Sequence, residues 1–504
     1  MPDHSLIRRR ERWLALAIAV ALTALRSVVL TAFEGSHFDS DQAFIGLMGK
    51  HLIDGRAFPV FAYGHPYMLG VEAWLAAPAF LIGGVSVPML ILPLALINLV
   101  VAVLLIVMLE RGAGLRPLLA LVPASFFLLA PPGTATLLLE ANGANVEPVL
   151  YVLLLWWLRS RPLAFGALLA FGVVHREFTI FAGGALLLLW LHDRGWRQRG
   201  AWREGALGGL AFAAVWQGIY LLKQSSSVDG PGTTLAAQAT DAGANVGAVA
   251  SHICIAPSTL PLAAWRIWHV HLTALLGAAE RPMTDFGINS LQWQGANGLE
   301  ILLAALAGAM SARLLWLVTR ERRSDRTRAT PMFAMYLLLV GVQSLAAYGV
   351  LKCGVVAVGT MRYGLLGLFA PIGLTAMYLA CERRQAWRLA AIAAVVAVGA
   401  VSARDHVRLA RDYVAGPPPN YRRALADYLV DHNIRFARAD FWDAYSVTFL
   451  SNERVIVASD NVVFLREYQW LVANHADEAV TIVHHACAGG AEVSGVYVCP
   501  PGAR

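Results

Sequence analysis

Between Trp13 and Ser402 this chain is a succession of apolar runs, separated by short loops in which arginine gathers. An apolar run of about 20 residues is long enough to cross the hydrocarbon core of a bilayer. Within that core every backbone amide needs an internal partner, so such runs become helices. Of the 504 residues, 58% are apolar and 14% are charged. Soluble domains usually carry about 45–50% and about 25%. A membrane protein with many spans is therefore expected, and its length does not divide into soluble domains.

The loop charges set an expected topology. Arg8, Arg9, Arg10 and Arg12 precede the first run, Trp13 to Phe33, which places the N-terminus in the cytoplasm. The run lacks a small-residue cleavage site and is read as a retained span. Further basic loops lie at 111–116, 159–161, 194–203, 320–328 and 383–388. Spans near 13–33, 88–108, 118–138, 148–158, 162–174, 178–191, 205–222, 299–318, 331–350, 363–381 and 389–402 place all of them inside, giving about eleven crossings. This requires that the stretch from Pro66 to Gly83, which contains Glu72, Trp74 and Pro78, lie on the outer face without crossing. The net charge of +7 is then loop arginine that orients the chain, and no nucleic-acid partner is expected.

The expected architecture is an all-α polytopic domain over residues 1–402, with outer loops 34–87 and 223–298, followed by a small extracytoplasmic α/β domain over 403–504. The tail is polar, and Gly416-Pro417-Pro418-Pro419 reads as a linker. Leu425, Tyr428 and Leu429 have helical spacing within Tyr421 to Asp431. Ile434–Ala437, Val455–Ala458, Val480–Val483 and Val496–Cys499 read as short strands. On an oxidising face Cys487 and Cys499 are a candidate disulfide, and Cys254 and Cys353 are either a second pair or two free thiols. No His/Cys cluster has the spacing of a structural zinc site.

Under this topology the polar candidates fall on one face. Asp39 and Asp41 follow the first span, and Glu140 and Glu147 occupy the next outer loop. His175-Arg176-Glu177 interrupts an apolar segment, which is costly unless the three face a cavity or each other. Arg362 and Tyr363 stand at another outer helix mouth.

Several segments, in order along the chain, resemble the polytopic glycosyltransferases of the GT-C type. That group includes protein O-mannosyltransferases and the aminoarabinose transferase of lipid A. The resembling residues begin with Asp39-Ser40-Asp41-Gln42-Ala43-Phe44, then Phe58 to Met68 with Tyr63-Gly64-His65-Pro66-Tyr67, then Gly70-Val71-Glu72-Ala73-Trp74. They continue with His175-Arg176-Glu177 and Met361-Arg362-Tyr363-Gly364, and in the tail with Leu429 to Arg435 and Ala439 to Tyr445. The resemblance implies transfer of a single sugar from a polyprenyl-phosphate donor, with inversion. The acceptor would be a lipid, a glycan or a protein on the outer side of a bacterial inner membrane.

The resemblance assigns Asp41 as the base that takes the acceptor hydroxyl's proton. The family usually has Glu directly after this residue. Here it is Gln42, so a second carboxylate must come from elsewhere. Asp39 is available, either as that carboxylate or as the N-cap of the helix beginning near Gln42. The departing lipid phosphate needs cations or donors, for which Arg176, Arg362, His65 and His175 are candidates, the arginines foremost because guanidinium grips phosphate bidentately. Glu147, Tyr63, Tyr67, Glu72 and Tyr363 are candidate substrate contacts. A monophosphate leaving group needs a metal less than a diphosphate does, so no essential metal or other cofactor is expected, although Asp39-Ser40-Asp41 has the look of a divalent-metal motif. The competing class is a transporter or flippase for a lipid-linked saccharide, since many spans with intramembrane charge fit it too. No inverted repeat of broken helices is visible in its support.

Overall fold

A computed structural model describes residues 4–33, 38–65, 67–193, 195, 200–225, 253–277, 298–322, 331–351 and 358–502. The first ten helices are α1 (His4–Ala32), α2 (Ser40–Ile53), α3 (Val71–Gly83), α4 (Val87–Gly112), α5 (Pro117–Leu128), α6 (Pro132–Leu137), α7 (Glu147–Leu158), α8 (Pro162–His175), α9 (Ile180–His192) and α10 (Ala201–Ser225). Long helices over Gly298–Arg322, Met332–Val350, Phe369–Cys381 and Gln385–Ala415 follow. Proline stands in the first turn of α4 through α8, where a missing N–H leaves no bond unmade.

Among the described residues, seven helices have the length and apolarity to cross a membrane: Ile7–Ala32, Val87–Gly112, Ala201–Lys223, Gly298–Leu317, Met332–Val350, Thr360–Cys381 and Gln385–Ala415. The chain is a multi-pass membrane protein. The 13 residues of α3 reach only about 20 Å at 1.5 Å per residue, short of a bilayer core. The same arithmetic applies to α7, α8 and α9, which the sequence reading takes as crossings. Charge and proline at Arg159–Pro162 and the break at Arg176 cut this apolar stretch into pieces of 12, 14 and 13 residues. The run expected over 118–138 is also divided, between α5 and α6. There the buried Arg26 guanidinium of α1 donates to the Phe127 carbonyl at the end of α5, which also accepts the Ala130 N–H, and to Asn98.

Small residues set the closest helix approaches. A Cβ at Gly166 of α8 would collide with the backbone carbonyl of Gly208 in α10, and Gly341 packs likewise against the backbone of Ala370. Ion pairs join helix ends away from the acidic loops. Arg8 and Arg12 reach Glu110 at the end of α4, and Arg313 reaches Glu382.

The helix Gln385–Ala415 passes straight through position 403, so the tail's own elements begin only at Tyr421. The Tyr421–Asp431 helix is where the spacing places it. Strands β1 (Phe436–Ala439), β2 (Ile456–Ser459), β3 (Val480–Val483), β4 (Ala491–Val493) and β5 (Val496–Cys499) form one sheet in the order β2-β1-β3-β5-β4. The β1 pairings with β2 and β3 are parallel, and β5 is antiparallel to β3 and β4. Helices Phe441–Leu450 and Arg466–Ala473 were not anticipated. Cys487 and Cys499 form a disulfide. Cys254 is also disulfide-bonded, while Cys353 lies outside the described residues.

This C-terminal unit packs directly on the segment between α1 and α4. Phe449 lies 5.4 Å from Phe38 and 6.2 Å from Phe80, ring to ring, within one continuous apolar core.

Candidate active site

The site is built around the N-terminal turn of α2. Asp39 is its cap: the carboxylate accepts the Gln42 backbone N–H at 3.2 Å. Ser40 is buried and tied to the C-terminal unit. Its hydroxyl donates to the Trp442 carbonyl at 2.9 Å and accepts the Ser446 N–H at 3.1 Å. Arg422 donates to the Phe38 carbonyl at 3.2 Å. The turn is therefore clamped from outside, and Asp41 projects from its first turn.

Asp41 meets Arg362. The Arg362 Nη1 donates to Asp41 Oδ2 at 3.1 Å and to Asn142 Oδ1 at 2.6 Å. Three segments far apart in sequence converge here: the first outer loop, the 139–147 loop, and the short 3₁₀ run over 358–368 that precedes the Phe369–Cys381 helix. The Arg362 Nε is buried without a hydrogen-bond partner, so the guanidinium keeps a donor in reserve.

Glu140 stands close by, buried. Burial, with the Asp39 and Asp41 charges adding to it, pushes its carboxyl up to about 8, against the pull of Arg362 and Asn142. Burial and the Asp41 charge likewise push Asp39 up to about 6, opposed by the Gln42 amide, Arg422 and Arg362. Both carboxyls therefore keep a proton more readily than a free acid, Glu140 more so than Asp39.

Arg176 and Tyr363 complete a second part of the site. The Tyr363 ring lies 5.5 Å from the Arg362 guanidinium and 5.7 Å from that of Arg176. Arg176 also stacks 5.1 Å from Phe178 and points Nη1 at the Met68 sulfur at 3.2 Å; its buried Nε has no hydrogen-bond partner and lies 4.0 Å from a Glu177 carboxylate oxygen. Tyr67 is near enough to feel both arginines. Burial pushes its phenol up while they pull it down.

Other candidates sit elsewhere. His65 packs among Phe44, Tyr67 and Phe464. His175 is buried, its Nδ1 2.8 Å from the Tyr151 hydroxyl, and so turns into the helix packing and not toward the donor nitrogens of Arg176. Tyr63 is fully buried and bonds His51 at 2.9 Å within the contact between loop and C-terminal unit, so it is no substrate contact here. Glu72 spends both oxygens on backbone amides of the 139–147 loop. Glu147 opens α7 with its carboxylate buried and unpartnered.

The sequence reading did not single out Asn142, Ser40 or Arg422. A signal existed for Asn142, because an Asn-Gly step between two acids in an outer loop is polar well beyond what a turn requires. Nothing local marks Ser40 or Arg422, whose roles arise from contact across some 400 positions. Among the described residues no three or more His, Cys, Asp or Glu side chains are grouped to hold a metal ion.

No protein-family model and no curated protein sequence matches the chain. Solved structures do. The apo oligosaccharyltransferase of Archaeoglobus fulgidus superposes with a TM-score of 0.50 at 14% identity, over 94% of this chain and 69% of that one. The two proteins share a fold. ArnT from Cupriavidus metallidurans matches at 12% identity over 96% of this chain and 97% of its own, with TM-scores of 0.43 in the apo state and 0.42 bound to undecaprenyl phosphate.

Proposed function

We propose that the chain is a glycosyltransferase that moves a single sugar from a polyprenyl-phosphate donor to an acceptor, with inversion, on the extracytoplasmic face of a bacterial inner membrane. The observation that carries this reading is the Arg362 guanidinium, which touches Asp41 and keeps a buried, unused nitrogen. A cation between the base and the leaving group is what this reaction requires. The acceptor oxygen bonds to the anomeric carbon while its proton passes to Asp41. The carbon–oxygen bond to phosphate breaks, and its electron pair leaves with the phosphate. Arg362 and Arg176, both against the Tyr363 ring, stabilise the charge gathering on that phosphate. Before the donor binds, Arg362 neutralises Asp41. The phosphate then offers it a second anion and frees the carboxylate to accept a proton.

The assignment to a transferase over a transporter is supported by where these groups stand. Asp41, Asn142 and Arg362 occupy helix mouths and loops, not the middle of long spans. The domain division follows the chemistry: the helical part carries base and arginines, and the C-terminal unit holds the Asp39–Asp41 turn. No essential metal is part of this reading, because an arginine already engages an Asp41 oxygen and a monophosphate is leaving.

The test is turnover with polyprenyl-phosphate sugars by the purified protein. Asp41→Asn is expected to lower turnover about 10²–10⁴-fold, the usual worth of a general base, with donor binding little changed. Arg362→Ala is expected to weaken donor binding, and Arg362→Lys to restore it only in part because ammonium lacks the planar fork. Asp41→Asn activity within a few-fold of wild type would move the base elsewhere.

A further inference from the structure

We infer that Glu72 is a positioning residue: it fixes the loop that carries Asn142 and, through Asn142 and Arg362, orients the Asp41 carboxylate. The inference rests on the transferase reading above and adds a residue to it that touches no substrate.

Glu72 lies in the first turn of α3 and is buried. Its two carboxylate oxygens accept the backbone N–H groups of Gly143, at 2.8 Å, and Ala144, at 2.9 Å. Both residues have left-handed backbone, with φ of 74° and 71°. Such a conformation is strained for alanine and persists only where its surroundings impose it. Two successive amides turned to one side make a cradle for acceptor oxygens, and here the oxygens belong to a side chain of the protein itself. The loop has no slack on its other side. A Cβ at Gly143 would come within 2.5 Å of the Met68 sulfur and 3.6 Å of Arg176 Nη1. Glu72 thus holds the Gly143 amide, and Met68 with Arg176 closes in where a side chain would stand.

The residue before Gly143 is Asn142. Its side-chain oxygen takes the same Arg362 Nη1 that donates to Asp41. One nitrogen is shared between an amide on the loop and the carboxylate of the base. Moving Asn142 releases the guanidinium to swing, and Asp41 swings with it. A buried acid on the next helix, α3, therefore sets where the base on α2 points, through Asn142 and Arg362.

The experiment uses the full-length protein, turning over a polyprenyl-phosphate sugar, in a double-mutant cycle. Glu72→Gln keeps the size but can accept only one of the two amides, and its own NH2 faces the other. It is expected to lower kcat on the order of 10²-fold, the cost of a displaced catalytic group, with the donor KM within a few-fold of wild type. Asn142→Ala is expected to do the same. The double variant is expected to lose no more than the worse single one, because both act through one path. Hydrogen exchange at the Gly143 and Ala144 amides is expected to accelerate in Glu72→Gln and not in Asn142→Ala. Losses that multiply, or unchanged exchange at those two amides, would overturn the inference. Asp41→Asn in the same assay separates the two readings. A fully active Glu72→Gln beside an inactive Asp41→Asn overturns this inference alone, whereas an active Asp41→Asn overturns the functional reading and this one with it.

Discussion

A single acid illustrates how burial assigns protonation at this site. Glu140 sits beside Asp39 and Asp41, and three ionised carboxylates around one arginine would repel one another. Its elevated pKa, about 8, leaves it neutral at pH 7 and limits the negative charge that Arg362 must balance. The folded state thus binds this proton more tightly than the unfolded chain. Its stabilising contribution is complete below the ordinary glutamate range and is lost as pH rises through about 8. The melting temperature of the detergent-solubilised protein is therefore expected to fall between pH 6 and pH 9. Glu140→Gln, which is neutral throughout, is expected to flatten that fall. An equally steep fall in the variant would mean that another group titrates.

At the scale of elements, length decides what the helices can do. Helix α3 is too short to cross, so the loops before and after it share one face, and Ser86, between α3 and α4, should lie on the same side as Asp41. Arg383 follows the Phe369–Cys381 helix at the opposite end, beside Glu382, which Arg313 holds at 2.6 Å. Cysteine labelling from one side of the membrane is expected to modify Ser86→Cys and Arg383→Cys from opposite sides. The background is Cys381→Ala, since among the described residues Cys381 is the cysteine outside a disulfide. Labelling of both from the same side would refute the arrangement. The hydropathy pattern carried this much, because proline, glycine and charge end helices by local chemistry. The division of 148–191 into three helices is legible in the same way, from Arg159, Arg161 and Pro162 and from the His175-Arg176-Glu177 interruption; what continuous apolarity hides is how short each piece is against a bilayer core.

The whole molecule works as two parts held by a polar seam. The Glu453 side chain of the C-terminal unit is buried and engages three basic residues of the 38–65 segment: Lys50 at 2.7 Å, His51 at 3.1 Å and Arg56 at 2.8 Å. Tyr468 adds a hydrogen bond at 2.8 Å. Burial works against the charged carboxylate, but His51, Lys50 and Arg56 outweigh it and hold Glu453 well below the usual carboxylate range. The stability this contributes is present above the ordinary glutamate pKa and is lost as pH falls further below it. Glu453→Gln is expected to lower stability by roughly 1–3 kcal/mol, toward the lower end because Arg56 is open to water. Proteolysis in the linker at 416–419 is expected to quicken, with turnover falling as the Ser40 clamp loosens. Unchanged linker cleavage would show that the apolar contacts around Phe449 hold the unit alone.

The sequence by itself determined the class of this protein and most of its element list. Helix and span follow from local apolarity and from backbone amides that need partners inside a bilayer. It also pointed to Asp41, Arg176 and Arg362, since a charge at the mouth of an apolar helix is conspicuous without any knowledge of its neighbours. Tertiary structure alone decided which of those charges meet. The pairing of Arg362 with Asp41 and Asn142, the diversion of Tyr63, His175 and Glu72 to structural partners, and the grip of Ser446 on Ser40 all join residues from 12 to 406 positions apart. No periodicity encodes such contacts. They depend on how helices of particular lengths pack and on where an intervening loop must turn to satisfy its buried amides.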